Sequence, residues 1–239
     1  MKQILIASLI LMSFTQIQAQ GIFSKERLMN RENHDKQKLR WGYYLGLNWL
    51  DYDFEYEGAR SQLDPSLQDI QTTKSMGFNV GLIGNMRIND YLDLRTEPGV
   101  FFNTRTLYFP NIPDEDDRIR DIEATTVHIP LLLKISTKRL NNFKPFIVGG
   151  VSNSINLSSR EGTNDDNSNG TFRVKKNTFN YELGFGIDFF LPYFKFTPSI
   201  RGIFSMVNEA IPDEDPFSPY TSFITNMETR GVFLNFTFQ

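Results

Sequence analysis

The chain has 239 residues, a net charge of −3 and no cysteine. The lack of cysteine excludes a lipid-modified cysteine anchor, disulfide bonds, and metal sites or catalysis that depend on a thiolate. The charges form no basic stripe, so nucleic acid is not an expected partner. Aromatic residues make up 14% of the chain, with 22 Phe. This content is typical of a protein that turns aromatic rings towards lipid.

The first residues have the pattern of a secretory signal. Lys2 precedes an apolar run over residues 4–14, and Ala19 offers a small residue for cleavage. We expect residues 1–19 to be a cleaved signal peptide, with an uncleaved anchor as the alternative. Residues 20–40 are charged and almost without period, and we expect a periplasmic N-terminal segment with at most one short helical turn. No later apolar run reaches the roughly 18 residues that suggest a transmembrane helix, so a membrane would be crossed by strands.

Eight segments alternate apolar residues with polar or small ones, as strands with two chemically different faces do. The clearest is 177–190, where Phe179, Tyr181 and Leu183 share one face and Asn180 shares the other with its polar neighbours. The predicted strands cover residues 41–56, 76–89, 91–108, 123–135, 143–157, 177–190, 194–207 and 229–238.

Three strands carry irregular patterns. From Leu50 onwards the apolar residues of the first strand change parity, which predicts a β-bulge and a strand that continues past the membrane. Pro98 cannot donate a ladder hydrogen bond and predicts a bulge or an irregularity in the third strand. In the fifth strand the phase stays open, because Phe146 and Val148 compete with the apolar residues of opposite parity for the outward face.

The connections indicate the topology. Four long polar loops, 57–75, 109–122, 158–176 and 208–228, alternate with three short turns. Backbone amides in hydrocarbon must be paired, so such a sheet has to close on itself. We therefore predict an all-β fold, an eight-stranded antiparallel up-and-down transmembrane β-barrel of the outer-membrane type over residues 41–239. Its long loops would be extracellular and both of its termini periplasmic.

The predicted inward faces carry many charged residues. In a barrel of about eight strands the interior is just wide enough for side chains to fill it, so opposite charges are expected to pair there. A proton or solute path is the alternative. The residues assigned to this interior ionic network are Arg87, Asp93, Arg95, Glu97, His128, Lys134, Glu182, Asp188 and Arg201.

Aromatic residues near the strand ends are expected to lie at the two membrane interfaces. Trp41 and Trp49, eight residues apart, are separated by about 26 Å along an extended strand, and by less once the strand tilts. The residues assigned as interfacial anchors are Trp41, Trp49, Tyr91, Phe143 and Tyr193. The expected surroundings are the lipid bilayer and lipopolysaccharide of the outer membrane.

Little in the sequence points to catalysis or to a cofactor. The only histidines are His34, in the N-terminal segment, and His128, which is predicted to point inwards, away from lipid substrates. No enzymatic activity, cofactor or small-molecule substrate is expected. Residues 165–170 imitate the first half of a calcium loop, but Lys176 stands where a bidentate Glu should be, so a plain turn is the favoured interpretation. Residues 114–117 and 213–215 make the loop rim acidic; a solvated surface is favoured over cation bridges to lipopolysaccharide.

Five segments together resemble one family. They read WGYYLGLN from Trp41, RTEPG from Arg95, HIPLLLK from His128, KPFIVGG from Lys144 and PSIRG from Pro198. In this order and spacing, with a Phe-rich end, the chain is similar to the PorT/SprT family, small outer-membrane barrels of the Bacteroidetes type IX secretion and gliding-motility apparatus.

The resemblance implies a non-enzymatic accessory or assembly component with no catalytic residues to carry over. It would be required for export of cargo bearing C-terminal sorting domains, and the partners that this resemblance implies are other components of that system. A closed barrel of this size cannot itself pass a folded protein. The alternatives are a general surface barrel for adhesion or envelope stability, and a small channel or lipid-modifying enzyme.

Overall fold

A computed structural model describes residues 29–56, 70–110, 112, 114, 117–162, 172–213, 218 and 220–239. They contain one 3-10 turn, His34–Lys36, and ten strands. The strands are β1 (Leu39–Tyr56), β2 (Gln71–Lys74), β3 (Met76–Arg87), β4 (Leu92–Thr96), β5 (Gly99–Tyr108), β6 (Ile119–Ser136), β7 (Phe143–Asn156), β8 (Asn177–Phe190), β9 (Lys195–Ser205) and β10 (Ile224–Phe238).

The strands close into an antiparallel ring. β1 pairs with β10 on one side and with β3 on the other, and the chain order is kept around the wall from β3 to β10. β4 and β5 follow one another in a single wall position, and β2 extends the position of β3 by pairing with β5. The ring therefore has eight wall positions. This confirms the predicted eight-stranded up-and-down barrel.

The two ends of the barrel differ in their connections. The "turn end" carries the short connections 88–91, 137–142 and 191–194, together with the start of β1 and the end of β10. The "loop end" carries the four long connections. Several strands extend further towards the loop end than expected, since β6 begins at Ile119, β10 at Ile224 and β2 lies inside a segment expected to be a loop.

The wall is apolar outside and polar inside around its middle. Outward side chains such as Trp41 and Leu183 are 72% and 64% exposed, while inward Asn79, Glu182 and Arg201 are buried. This inverts the pattern of a soluble protein and matches a barrel whose outer surface faces hydrocarbon. Among the residues that the structure describes, no helix is long and apolar enough to span a membrane.

The bulge predicted at Leu50 is wrong. β1 and β10 stay in one register from Tyr43 to Glu55, and the only shift lies between Glu55 and Tyr56. Leu50 and Tyr52 instead point into the barrel, and Asp51 and Asp53 point out. The strand stays regular, but from Leu50 onwards its apolar side chains face the lumen and its polar side chains face outwards. An exchange of this kind is expected where a strand leaves hydrocarbon and enters water.

Pro98 interrupts the strand but not the register. β3 pairs with β4 and with β5 in one continuous alignment on either side of Glu97 and Pro98. Thr96 is the last residue of β4, and its hydroxyl donates to the Pro130 carbonyl of β6 at 2.8 Å. In the fifth predicted strand, Phe146 and Val148 point inwards and pack on Leu132. The phase that the sequence left open is thereby decided.

Candidate functional site

Charged side chains meet inside the barrel at the level nearest the turn end. The Asp188 carboxylate receives Lys134 Nζ at 2.6 Å and the Thr197 hydroxyl at 2.7 Å, and Lys195 Nζ lies 3.8 Å away. Across the lumen, Arg40 Nη2 donates to Asp93 at 2.8 Å. β1, β4, β6, β8 and β9 supply these side chains, so the ion pairs join wall positions far apart in sequence.

Arg201 lies at the centre of the lumen between two carboxylates. Its Nη1 donates to Glu97 Oε2 at 2.9 Å, and its Nε is 2.6 Å from Glu182 Oε2, an ion-pair contact without hydrogen-bond alignment. Arg95 Nε also contacts Glu97 and its Nη2 donates to Thr237 at 3.2 Å. All four charged side chains are buried. Since each carboxylate has at least one cationic partner, the arrangement neutralises charges that would otherwise be costly to bury.

His128 completes the central level. Its Nε2 lies 2.8 Å from Glu182 Oε1 and its Nδ1 2.9 Å from Ser154 Oγ, while its ring stacks on Phe101 with centroids 4.5 Å apart. A histidine between a serine and a carboxylate resembles a hydrolytic triad in composition. Here all three side chains are buried, and the carboxylate is shared with Arg201. This set therefore has the geometry of a structural hydrogen-bond chain.

Eight of the nine residues assigned to the interior from sequence are brought together there. Arg87 is the exception, because it pairs with Asp90 in the turn after β3 and its side chain is 28% exposed. Arg87 is the last residue of β3 and lies at the turn-end rim, so inward parity does not bury this residue. Three further members of the network were not assigned from sequence. Arg40 precedes the first predicted strand, Ser154 lies in the strand whose phase stayed open, and Lys195 was not assigned to the network.

The aromatic residues assigned as anchors lie at both edges of the apolar wall. Tyr193 is 92% exposed in the turn after β8, and Tyr91 is exposed in the turn after β3. Trp41 and Phe143 lie near the turn end of β1 and β7. Trp49 lies on β1 one residue before the side-chain chemistry is exchanged. Their role as anchors stays a prediction.

An apolar cluster covers the loop end. It is built from buried residues of the upper strands and of the connections: Tyr52, Ile70, Leu107, Phe109, Ile112, Ile122, Phe172, Val174, Ala210, Tyr220 and Met227. We call this cluster the cap. Arg120, itself buried, donates to the Tyr220 hydroxyl at 2.6 Å. The Tyr220 ring also meets Phe109 edge-on at 5.2 Å. The cap is thus packed like the core of a soluble domain.

A small cavity with both polar and apolar lining residues separates the cap from the ionic network. Its volume is about 40 Å³, and Arg105, Glu209 and Thr229 are among its lining residues. The Glu209 carboxylate accepts hydrogen bonds from the Thr229 amide at 3.0 Å and the Thr229 hydroxyl at 2.9 Å. Burial raises the pKa of Glu209 above its ordinary value. A cavity of this size holds little more than a water molecule or two.

The acidic loop residues provide no metal centre among the described positions. Asp117 pairs with Arg120 at 3.1 Å, and Asp213 with Arg173 at 3.2 Å. No group of three or more His, Cys, Asp or Glu that could hold a metal ion occurs in the described part of the chain. The calcium-like segment 165–170 lies outside the described residues, as does the predicted signal peptide.

The turn end is closed by the residues that precede β1. Asn30 and Arg31 bond to residues of the turn after β6 and of the end of β10. His34 is buried against Phe190. Between this closure and the cap, the lumen is filled by the ionic network. The described residues therefore form a barrel blocked at three successive levels.

A closed antiparallel ring with an apolar outer belt and an ionic lumen defines the class of membrane-spanning β-barrels. A family model described as outer membrane protein beta-barrel domain matches residues 18–210. The chain therefore belongs to that family and is an outer-membrane β-barrel protein. A search of curated proteins found none that matches.

Solved structures with a similar chain path include three barrels. Neisserial surface protein A has 11% identity and a TM-score of 0.44, with 84% of this chain and 98% of that chain covered. OprG of Pseudomonas aeruginosa has 12% identity and a TM-score of 0.41, with 84% and 93% covered. AlkL in lipid bilayers has 10% identity and a TM-score of 0.41, with 90% and 92% covered.

Proposed function

We propose that this barrel is a non-conducting accessory or assembly component of the type IX secretion system and a relative of the PorT/SprT family. In this proposal residues 1–19 are removed as a signal peptide, the turn end and both termini face the periplasm, and the long loops are extracellular. The protein is not an enzyme and needs no cofactor. Its partners are the outer-membrane bilayer, lipopolysaccharide and other secretion components, and a gliding organism would need it for motility.

The observation that carries the non-conducting part of the proposal is the filled lumen. A buried network lies between a packed cap and a closed turn end, and the cavity between cap and network is about 40 Å³. A polypeptide or a drug-sized solute needs far more room than this. The protein would therefore contribute to export through its outer surfaces and ends.

The secretion assignment is supported by where the resembling segments lie. RTEPG supplies Arg95 and Glu97, HIPLLLK supplies His128 and Lys134, and PSIRG supplies Arg201. These segments come from three separate regions of the sequence, and their charged side chains converge in one buried network. The similarity to the family therefore falls on residues that specify the interior of this barrel.

Deletion of the gene tests the assignment. Cargo with C-terminal sorting domains should disappear from the medium and accumulate in the periplasm, and a plasmid copy should restore its export. Secretion that continues normally would overturn the proposal. A general barrel for envelope stability would then be favoured if the deletion strain became sensitive to detergent. As a separate control, purified protein in planar bilayers should show no steady conductance.

A further inference from the structure

Residues 29–38 lie across the turn end of the barrel, and we call them the stopper. The Asn30 amide nitrogen donates to Asn142 Oδ1 at 2.9 Å, and Asn30 Nδ2 donates to the Phe190 carbonyl at 3.0 Å. Arg31 Nη1 donates to the Gln239 carbonyl at 2.7 Å. The stopper is therefore fixed to the turn after β6, the end of β8 and the residue after β10.

The stopper is held by polar contacts and buries little apolar surface. Its sequence is MNRENHDKQK, in which the single apolar residue, Met29, is 43% exposed. The cap at the other end of the barrel is packed from aromatic and aliphatic side chains instead. Because hydrophobic burial is the dominant favourable contribution to packing, the two closures differ in kind. The closure at the turn end, made by the stopper, is therefore weaker than the cap.

Several polar atoms are buried where the stopper meets the barrel without a hydrogen-bond partner among the described residues. They are both ring nitrogens of His34, Asp35 Oδ1, and both amide atoms of the Gln239 side chain. Burial, together with the positive charges of Lys195, Arg31 and Arg40, lowers the pKa of His34 to about 3. Buried polar groups without partners favour states in which they reach water. Docking of the stopper is thus opposed by the groups that it buries.

The Asp35 carboxylate marks a distinct slot in this interface. Arg40 Nη1 lies 3.7 Å from Asp35 Oδ1 and Arg139 Nη1 lies 3.7 Å from Asp35 Oδ2, and both distances are too long for a hydrogen bond. Arg139 also donates to the carbonyls of Asn30 and Arg31 in the stopper. Its guanidinium is held on the barrel side as well, because it stacks on the Phe190 ring at 3.8 Å and its Nε donates to the Asn141 carbonyl at 2.6 Å. A preformed pair of guanidinium groups thus faces a carboxylate that fits it loosely. A better placed carboxylate would bind there more tightly.

We propose that the stopper is displaceable and that the slot between Arg40 and Arg139 binds a carboxylate side chain of an extended segment of another protein once the stopper leaves. The arginines are contributed by β1 and by the turn after β6, so the slot persists when residues 29–38 move away. The Asn30 contacts end on an amide side chain and a backbone carbonyl, and the Arg31 guanidinium donates to a backbone carbonyl, so the barrel side of these contacts consists of acceptors that another extended segment can use. This inference does not depend on the proposed role in secretion.

The absence of cysteine in the chain makes a thiol reporter straightforward. In the full chain inserted into lipid nanodiscs, the His34→Cys variant places a thiol at the buried position and the exposed Lys36→Cys variant serves as the labelling control. Maleimide should label the His34→Cys protein much more slowly than the Lys36→Cys protein. Adding Asp35→Asn to His34→Cys should raise its labelling rate about tenfold. Unchanged heat-resistant migration on gels establishes that each variant is folded.

A synthetic peptide with the sequence of residues 29–38 then probes the slot. It should accelerate labelling of the His34→Cys protein in a saturable manner, whereas a peptide with Asn in place of its aspartate should not. Arg139→Gln should abolish the response. Equal labelling rates with and without Asp35→Asn, and no effect of the peptide, would overturn the displaceable stopper. A faster Asp35→Asn variant that ignores the peptide would overturn the carboxylate slot.

Discussion

Replacement of Arg201 by Met is the sharpest test of the interior network. The substitution keeps most of the side-chain volume on β9 and removes the cation from between Glu97 and Glu182. The two carboxylates then face one another in a lumen without access to bulk water. We expect a large loss of stability, because breaking a buried ion pair leaves uncompensated charge behind.

The structure sets the size of this loss. Removal of one partner from a buried pair typically costs about 3–5 kcal/mol. Glu97 keeps Arg95 as a partner and Glu182 keeps His128, so we expect a value near the lower limit, about 3 kcal/mol. The matched control is Arg230→Met. Arg230 pairs with Asp53 at 2.5 Å on the outer surface, where the side chains are 52% and 44% exposed, and such pairs contribute about 0–1 kcal/mol.

The measurement is urea unfolding of the protein refolded in liposomes, followed by the fluorescence of its two Trp residues. Arg201→Met should lower the free energy of unfolding by about 3 kcal/mol, and Arg230→Met by less than about 1 kcal/mol. Adding Glu182→Gln to Arg201→Met should recover part of the loss, because one stranded charge is gone. Equal stability of the two single variants would refute the idea that the lumen is shielded from water.

Three further perturbations test other levels of the barrel. Leu183→Arg places a cation on the lipid side near the middle of β8 and should cost about 2–4 kcal/mol in liposome unfolding; normal stability would mean that this surface does not face hydrocarbon. Arg120→Met removes the hydrogen bond to Tyr220 and should loosen the cap, seen as faster proteolysis between β9 and β10 while the barrel keeps its heat-resistant migration. Acidification should release the stopper: the docked pKa of His34, about 3, lies below its ordinary 6.5, so docking weakens as the pH falls below 6.5 and continues to weaken down to about 3. At pH 5 the loss should be about 1 kcal/mol after allowance for solvent screening. It should be visible as lower protection of the stopper's backbone amides in hydrogen exchange, with rates corrected for the intrinsic effect of pH, and His34→Gln should remove this dependence.

The sequence predicts the wall because the period of a strand is local. Each residue of β8 alternates between lipid and lumen, and the printed order of Phe179 to Phe189 is enough to see this. The same reasoning places Glu97, Glu182 and Arg201 inside. It cannot say that Arg201 contacts both carboxylates, because that depends on how far neighbouring strands are staggered around the ring. The alignment of Gly184 with Arg201 is a property of the closed barrel.

The errors arise where the environment changes along a strand. The bulge at Leu50 was predicted because apolar residues were assumed to keep to one face of the strand. The strand instead continues without a shift in register from hydrocarbon into water. Parity also places Arg87 inside the lumen, although it is the last residue of β3 and pairs with Asp90 in the turn that follows. The cap has no sequence signal of its own, since its members come from several strands and connections and share only their final position.

The exchange of faces at Leu50 also constrains how the protein can act. On the turn-end side of Leu50 the wall is apolar outside and ionic inside. On its loop-end side Asp51 and Asp53 face outwards, while Tyr52 joins the cap. Opening the lumen to a solute would require the cap to expose its aromatic rings to water and the network to separate its ion pairs, two independent and unfavourable changes. Release of the polar stopper requires neither. The turn end is therefore where a change of state costs least, and a partner that regulates this barrel should act there.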